Sequence, residues 1–391
     1  MKFFKSRIFD YNLTISKGLL PILLSTFGSG IAFGGIIPLI SLWLESKELS
    51  FTKIGIIIAA SSLGAILAAF FASPIIRKIG YLQGAVWGIA ISAISSVLFR
   101  HLDTEVGWIA LRIASGIGFG LAWVVTEAWI GHIASDKGRT KAISLYAMAM
   151  ALGFSVGPLI IFATGFSGYM PFYLIATIEL IATIPLFLLV KSQPKIGIKK
   201  SGSPLFILVT APTIAVGCIL VGFIDVTLIS HLPVLVSRKA NSISELALLI
   251  PVAIGIGNVV FQFPVAVVAD RYGKRQTAFF VVLTGVGSCS LIPFFLNDLF
   301  IAISLTFLGC GMIYCLYTIS LSMLSERFKG ELLIVANASF IILFTLASLL
   351  GPIIAGKMID YSLLYGLTTF LIFSGLLYLL VLLVRGHKQK N

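Results

Sequence analysis

Apolar runs of about 20 residues alternate along this chain with short polar connectors, most of them basic. About 20 apolar residues is the length a helix needs to cross ~30 Å of hydrocarbon. Twelve such runs are legible. In the first half they cover roughly 18–43, 54–76, 82–99, 107–131, 142–164 and 170–190, and in the second 205–232, 245–268, 277–296, 299–323, 332–355 and 362–384. The pattern predicts an all-α integral membrane protein of twelve transmembrane helices, and those helices use almost the whole chain, leaving no room for a soluble catalytic domain.

The connectors repeat. Ile75-Ile76-Arg77-Lys78-Ile79-Gly80-Tyr81-Leu82-Gln83 returns, altered, as Val268-Ala269-Asp270-Arg271-Tyr272-Gly273-Lys274-Arg275-Gln276, and Gly157-Pro158-Leu159-Ile160 returns as Gly351-Pro352-Ile353-Ile354. An offset of 193 or 194 in a chain of 391 residues means two similar halves. The one connector with linker character, 191–204, is basic, rich in Pro, Gly and Ser, and lies at the midpoint. The expected organisation is therefore a six-helix bundle over 1–190, a cytoplasmic linker over 191–204 and a second six-helix bundle over 205–391. Six spans precede the linker, so both halves start on the same side and form parallel repeats. Internal duplication with short basic loops points to a transporter.

Composition agrees with this and settles the meaning of the charge. The chain is 58% hydrophobic and only 11% charged, with a mean hydropathy of +1.07; a soluble domain carries roughly 25% charged residues. The net charge of +13 invites a nucleic-acid partner. Its distribution rejects one. With both termini placed in the cytoplasm, 21 Lys and Arg fall on that side against six on the other, with Arg112 buried. This split orients the chain by the positive-inside rule, and the excess contacts anionic lipid head groups. Residues 1–17 lack the apolar region of a cleaved signal peptide. The four cysteines, Cys218, Cys289, Cys310 and Cys315, lie inside spans and read as packing residues, with no disulfide framework or metal-ligand spacing. No cofactor is expected.

The loop residues carry a family resemblance that covers essentially the whole chain. Ala266 to Arg275 resembles the G-x-x-x-D-R-x-G-R-[RK] loop of the major facilitator superfamily, in its bacterial twelve-helix type near the drug/proton antiporter branch. Here Asp270, Arg271 and Gly273 match. The first copy keeps Lys78 and Gly80 but has Arg77 in place of the aspartate. An aspartate at the end of one helix can cap the positive N-terminus of a neighbour, and the adjacent arginine can pair with a carboxylate across the gap between halves. Such contacts make a cytoplasmic latch that opens and closes. In the first half the latch would pair Arg77 or Lys78 with Glu127, near the inner end of span 4. The bland alternative is that these are only positive-inside charges.

Inside the spans three charges stand out. Arg112 to Gly120 in span 4 looks like the family's R-x-x-x-G-x-G helix, with Ser115, Gly116 and Gly120 on the arginine's face. An ionised side chain at that depth costs at least ~2.5 kcal/mol unless it faces a cavity or partner. The resemblance implies a role in proton transfer or anionic-substrate contact; the alternative is a structural arginine holding backbone carbonyls. Glu179 in span 6 and Asp225 in span 7 have no basic residue within a turn of their own helices, so each is protonated, paired to another helix, or wet. Asp225 is the first choice for a proton or substrate contact, because first helices of each half line the cavity in the family. His231, one to two turns outward, could relay protons or sit at the interface, and the interface is the preferred reading. Gly153 to Pro158, including Gly157, resembles the core of the family's antiporter motif, and Gly351-Pro352 echoes it in the other half. Occurrence in both halves points to helix packing and bending.

The function these observations imply is a proton-coupled secondary transporter of a small organic solute, working by alternating access as a monomer in a bacterial inner membrane. Efflux is favoured slightly, and uptake of a nutrient or siderophore-like compound is the alternative. No G-x-x-x-x-G-K-[ST] loop is present for direct ATP drive, and the four scattered histidines do not make an enzyme site.

Overall fold

A computed structural model of the chain describes residues 18–133, 139–192, 205–239 and 245–387. Most of the midpoint linker and the basic N-terminal tail lie outside the described residues. Twelve helices are long and apolar enough to cross a membrane, and no strand occurs among the described residues. Helices and closed barrels are the structures that satisfy every backbone group internally in hydrocarbon. Numbered so that each is one span, they are α1 (Leu19–Glu45), α2 (Phe51–Ile79), α3 (Tyr81–Phe99), α4 (Glu105–Ile133), α5 (Arg139–Thr164) and α6 (Met170–Ile181), then α7 (Pro212–Lys239), α8 (Leu249–Tyr272), α9 (Lys274–Leu291), α10 (Leu299–Arg327), α11 (Gly330–Tyr361) and α12 (Gly366–His387).

The expected spans hold, with boundaries that proline corrects. Span 7 was expected from 205, but Leu205–Thr210 is a separate short helix and α7 starts at Pro212. Proline suits the first position of a helix, where its missing N–H costs nothing, and it disfavours helical geometry at the residue before it. The α-helix of the sixth span stops at Ile181, ahead of Pro185, which cannot donate to the i−4 carbonyl, and a 3-10 helix, Ile184–Ser192, follows. Several other helices run past the apolar limit into polar residues, as at Glu45, Lys239 and Asp360, and those extra turns prove important.

Packing follows the repeat. Within the first half α1 packs on α5 and α4 on both α2 and α3; within the second, α7 packs on α11 and α10 on both α8 and α9. Between halves, α2 lies on α11 and α5 on α8, with α1 touching α7. In lipid no hydrophobic force joins helices, so small residues that allow close approach do so. A side chain at Gly116 of α4 would strike the Ser61 carbonyl of α2, while Gly120 faces Ala65 and Ala68 of the same helix. Gly153 and Gly157 abut α1 at Phe27 and Ile31, and Gly351 abuts α7 at Phe223. The glycine-proline stretches thus lie in equivalent helix pairs of each half.

The repeated loops are single-residue turns. Gly80 ends α2 and begins α3 at φ +87°, and Gly273 does the same between α8 and α9 at φ +96°. Each donates its N–H to the carbonyl four residues back, Gly80 to Ile76 at 2.7 Å and Gly273 to Ala269 at 3.0 Å. Gly273→Ala meets no neighbouring atom, so its whole cost is the left-handed backbone, about 1–2 kcal/mol. Gly116→Ala adds a backbone collision. Thermal unfolding in detergent should therefore show a modest loss for Gly273→Ala and a larger one for Gly116→Ala.

Candidate functional site

Call the end carrying the 2–3, 4–5, 8–9 and 10–11 connections the basic end. The halves are bonded to each other at the opposite end. The last residue of α1, Glu45, takes two hydrogen bonds from Arg238 near the end of α7, Nε to Oε1 and an Nη to Oε2, both 2.7 Å. The same guanidinium donates to the Leu49 carbonyl at 2.7 Å and lies 4.3 Å from the Phe51 ring centre. Two N–H groups matched to one carboxylate make this among the stronger kinds of ion pair. The Glu45 side chain is only 10% exposed, so solvent screens it little. Positions 45 and 238 are 193 residues apart, the offset of the internal repeat. Equivalent positions of a two-fold repeat meet only near the axis that relates them, so this pair marks that axis.

A second bond between the halves lies beside it. Asp360 of α11 accepts the backbone N–H groups of Phe51 and Thr52 at 2.8 Å each. The first N–H groups of a helix have no partner within it, so a carboxylate from the other half completes α2. His231 of α7 is fully buried, bonded through Nε2 to the Pro352 carbonyl at 2.9 Å and edge-on to Phe51 at 5.6 Å. It thus touches both halves, α11 through Pro352 and α2 through Phe51.

At the basic end no hydrogen bond or ion pair joins the halves among the described residues. Arg77, Lys78, Glu127, Asp270, Arg271 and Gly273 are exposed, and among the described residues Arg77, Lys78, Glu127, Asp270 and Arg271 form no ion pair. In this conformation the capping device expected of Asp270 is made by Asp360. Among the described residues, the charge contact at this end is within the second half, where Lys274 bonds Glu326 and the Ser322 hydroxyl.

The three charges inside the spans lie in separate surroundings, Arg112 and Glu179 buried and Asp225 half-buried. Arg112, 3% exposed, turns toward α2 and donates to Ser61 Oγ at 2.8 Å, the Ile58 carbonyl at 3.4 Å and Ser115 Oγ at 3.4 Å. Its Nε has no partner, and no carboxylate bonds it among the described residues. Asp225 of α7 accepts a hydrogen bond from the Tyr314 hydroxyl of α10. Nearby on α8 and α10, Thr318 donates to Gln262 Oε1 at 2.9 Å and Gln262 to Asn258 Oδ1 at 2.8 Å, a half-buried polar strip. Glu179, 2% exposed, points into the first half and shares a crevice with Thr26, Ser29, Thr126 and Tyr146. On the crevice rim Phe119 stacks on Phe33 at 4.5 Å and meets Trp123 edge-on. The structure therefore keeps Arg112, Asp225 and Glu179 apart, each with its own polar partners. All four cysteines are buried and free.

Sequence reasoning passed over Glu45, Arg238, Asp360, Tyr314 and the Asn258–Gln262–Thr318 strip. A signal for the first two was present, since opposite charges stand at the repeat offset. Nothing local marks Asp360 or Tyr314, whose partners are 309 and 89 residues away.

Comparison with known proteins adds the ancestry. Residues 22–257 and 241–391 match the profile of the Major Facilitator Superfamily. The chain is 28% identical over 343 residues to the uncharacterized MFS-type transporter YfkF of Bacillus subtilis, covering 84% of this chain and 85% of that one. It is 23% identical over 322 residues to YcaD of Escherichia coli, covering 80% and 81%. Among solved structures, a bacterial homologue of the lysosomal transporter Spinster, inward-facing and unoccupied, superimposes with a TM-score of 0.74 at 14% identity, over 95% of this chain and 96% of that one. The D-xylose–proton symporter gives 0.73 at 19%, over 93% and 96%, and the nucleoside transporter NupG 0.72 at 14%, over 96% and 100%. These likenesses are of fold.

Removing one member of the Glu45–Arg238 pair leaves the other charge without its partner, about 1.5–3 kcal/mol for a hydrogen bond to a charged group. Spin labels at Glu48→Cys and Leu363→Cys, both exposed at the opposite end, should move apart in Glu45→Arg. Adding Arg238→Glu should restore the short distance, because the exchange rebuilds the pair.

Proposed function

The chain belongs to the major facilitator superfamily, and from that premise we propose that it is a proton-coupled exporter of a small organic solute, working by alternating access. Family membership and relatives named as transporters make it a multi-pass transporter of a bacterial inner membrane rather than an enzyme. The finer reading is ours: the proton, the direction, the gate and the two rocking bodies, 1–190 and 205–391 joined by the linker 191–204.

One observation carries it. A buried carboxylate, Glu179, and a half-buried one, Asp225, stand at mid-span with no basic partner among the described residues, whose bonds between the halves lie at one end. With the basic end in the cytoplasm, as the positive-inside rule places it and both termini, this arrangement is an inward-facing state. Outward opening breaks the Glu45–Arg238 pair and the Asp360 cap. Closure at the basic end then gives Asp270, Arg271, Arg77, Lys78 and Glu127 partners they lack here, and the second half, which keeps the Asp270–Arg271 pair, holds more of that latch. The two sets of contacts exclude each other, which makes the switch bistable.

Asp225 is the proton carrier in this scheme. As a carboxylate it holds Tyr314 and so ties α7 to α10; a proton on it weakens that tie and lets α10 move. A ligand shifts such an equilibrium only by its difference in affinity for the two states, and the proton is that ligand. Arg112, bonded to α2 with an unpartnered Nε, is placed to receive a substrate anion or to respond when α2 moves. The aromatic rim at Phe33, Phe119 and Trp123 suits an amphipathic solute. The antiporter-like stretch Gly153–Pro158 favours export.

Proteoliposomes under an imposed pH gradient test the scheme against a panel of organic solutes. Wild-type flux should follow the gradient. Asp225→Asn should lose gradient-driven flux at least tenfold while retaining exchange, and Arg112→Ala should lose both. Flux indifferent to the gradient and to Asp225→Asn overturns proton coupling. Direction is read from whether a deletion strain loses resistance to a toxic solute or growth on a nutrient.

A further inference from the structure

Glu179 presents more than a proton site. Its crevice is walled by Thr26 and Ser29 of α1, Ile89 of α3, Ala122 and Thr126 of α4, and Tyr146 of α5, with Ser92 of α3 beside the carboxyl. Thr126 gives its proton to the Ala122 carbonyl at 2.9 Å, which leaves its oxygen facing Tyr146 at 3.2 Å with lone pairs to spare. Thr26, 2% exposed, has a side-chain oxygen with no hydrogen-bond partner, and so has its fully buried neighbour Ser25. Buried polar groups left unpaired in a native structure call for an explanation such as an ion or water.

From this geometry we infer that the crevice binds a small monovalent cation of sodium's kind, held by the Glu179 carboxylate and the Thr26, Ser29 and Thr126 oxygens. A proton neutralises the carboxylate but leaves the Thr26 oxygen without a partner. A cation answers both needs. The donor set is hard oxygen throughout, with no imidazole or thiol on the wall, which disfavours transition metals. One carboxylate balances one positive charge; a divalent ion there would remain uncompensated in a low-dielectric interior, and no group of three or more His, Cys, Asp or Glu side chains occurs among the described residues. The ligands come from α1 and α4 as well as α6, so the ion ties together helices of the first half. That it takes part in transport rests on the reading above. That it binds does not.

The test needs no substrate. Full-length protein in detergent is melted at fixed pH and ionic strength in NaCl, KCl or choline chloride, while the fluorescence of Trp123 on the crevice rim, isolated by subtracting Trp123→Phe, is titrated with NaCl. Sodium should raise the melting midpoint in a saturable way, and the fluorescence should titrate with the same half-point. Glu179→Gln should abolish both responses while remaining folded in choline chloride, and Thr26→Val should weaken the apparent affinity about tenfold, the equivalent of one ligand contact worth ~1.4 kcal/mol. Equal midpoints in all three salts, a sodium response that survives Glu179→Gln, or a Trp123 signal that follows pH alone each overturn the cation site. None of these outcomes bears on flux, so proton-driven transport stands or falls separately.

Discussion

Two carboxylates near helix ends, Glu45 and Asp360, do most to set the shape of this molecule. Each reaches across from one half to the other at the same end, one to the Arg238 guanidinium and one to the open N-terminus of α2. Hydrocarbon provides no hydrophobic force to press the halves together. Directed polar contacts at the rim therefore decide which end is shut. With that end bonded, Arg77, Lys78, Glu127, Asp270 and Arg271 at the basic end form no ion pair among the described residues.

The repeat explains why so few contacts suffice. Helix pairings in the first half recur in the second, and the contacts between halves are themselves exchanged by the repeat, α2 with α11 for α8 with α5. Symmetry is broken in the side chains. Glutamate stands at 45 and arginine at the equivalent 238, so the axis carries an attraction instead of two like charges. Asp360 completes α2, and Asp270 belongs to the second loop only. A duplicated fold with unequal charges therefore carries different polar contacts at its two ends.

Legibility in the sequence followed sequence distance. The twelve spans and the duplication were readable because each rests on residues within one helix or on a fixed offset. Gly80 and Gly273 were visible as a repeated motif, and a one-residue turn with positive φ is the physical reason they are glycine. The buried charges Arg112, Glu179 and Asp225 were readable because a charge inside an apolar run is costly wherever it ends up. Their partners were not. Ser61 for Arg112, Tyr314 for Asp225 and the Thr26–Thr126 crevice for Glu179 all come from other helices, and hydroxyl-bearing residues are common in membrane helices and carry no local mark.

Apolar run length and the spacing of basic connectors determined by themselves that this chain is a twelve-helix membrane protein built twice over, because the cost of unsatisfied backbone and charge in hydrocarbon acts on every residue locally. Which end is sealed, which carboxylate caps which helix, and which hydroxyls surround Glu179 were decided only in three dimensions. Those choices depend on the angle and register at which helices far apart in sequence cross, and these are set by small-residue contacts such as Gly116 on Ser61.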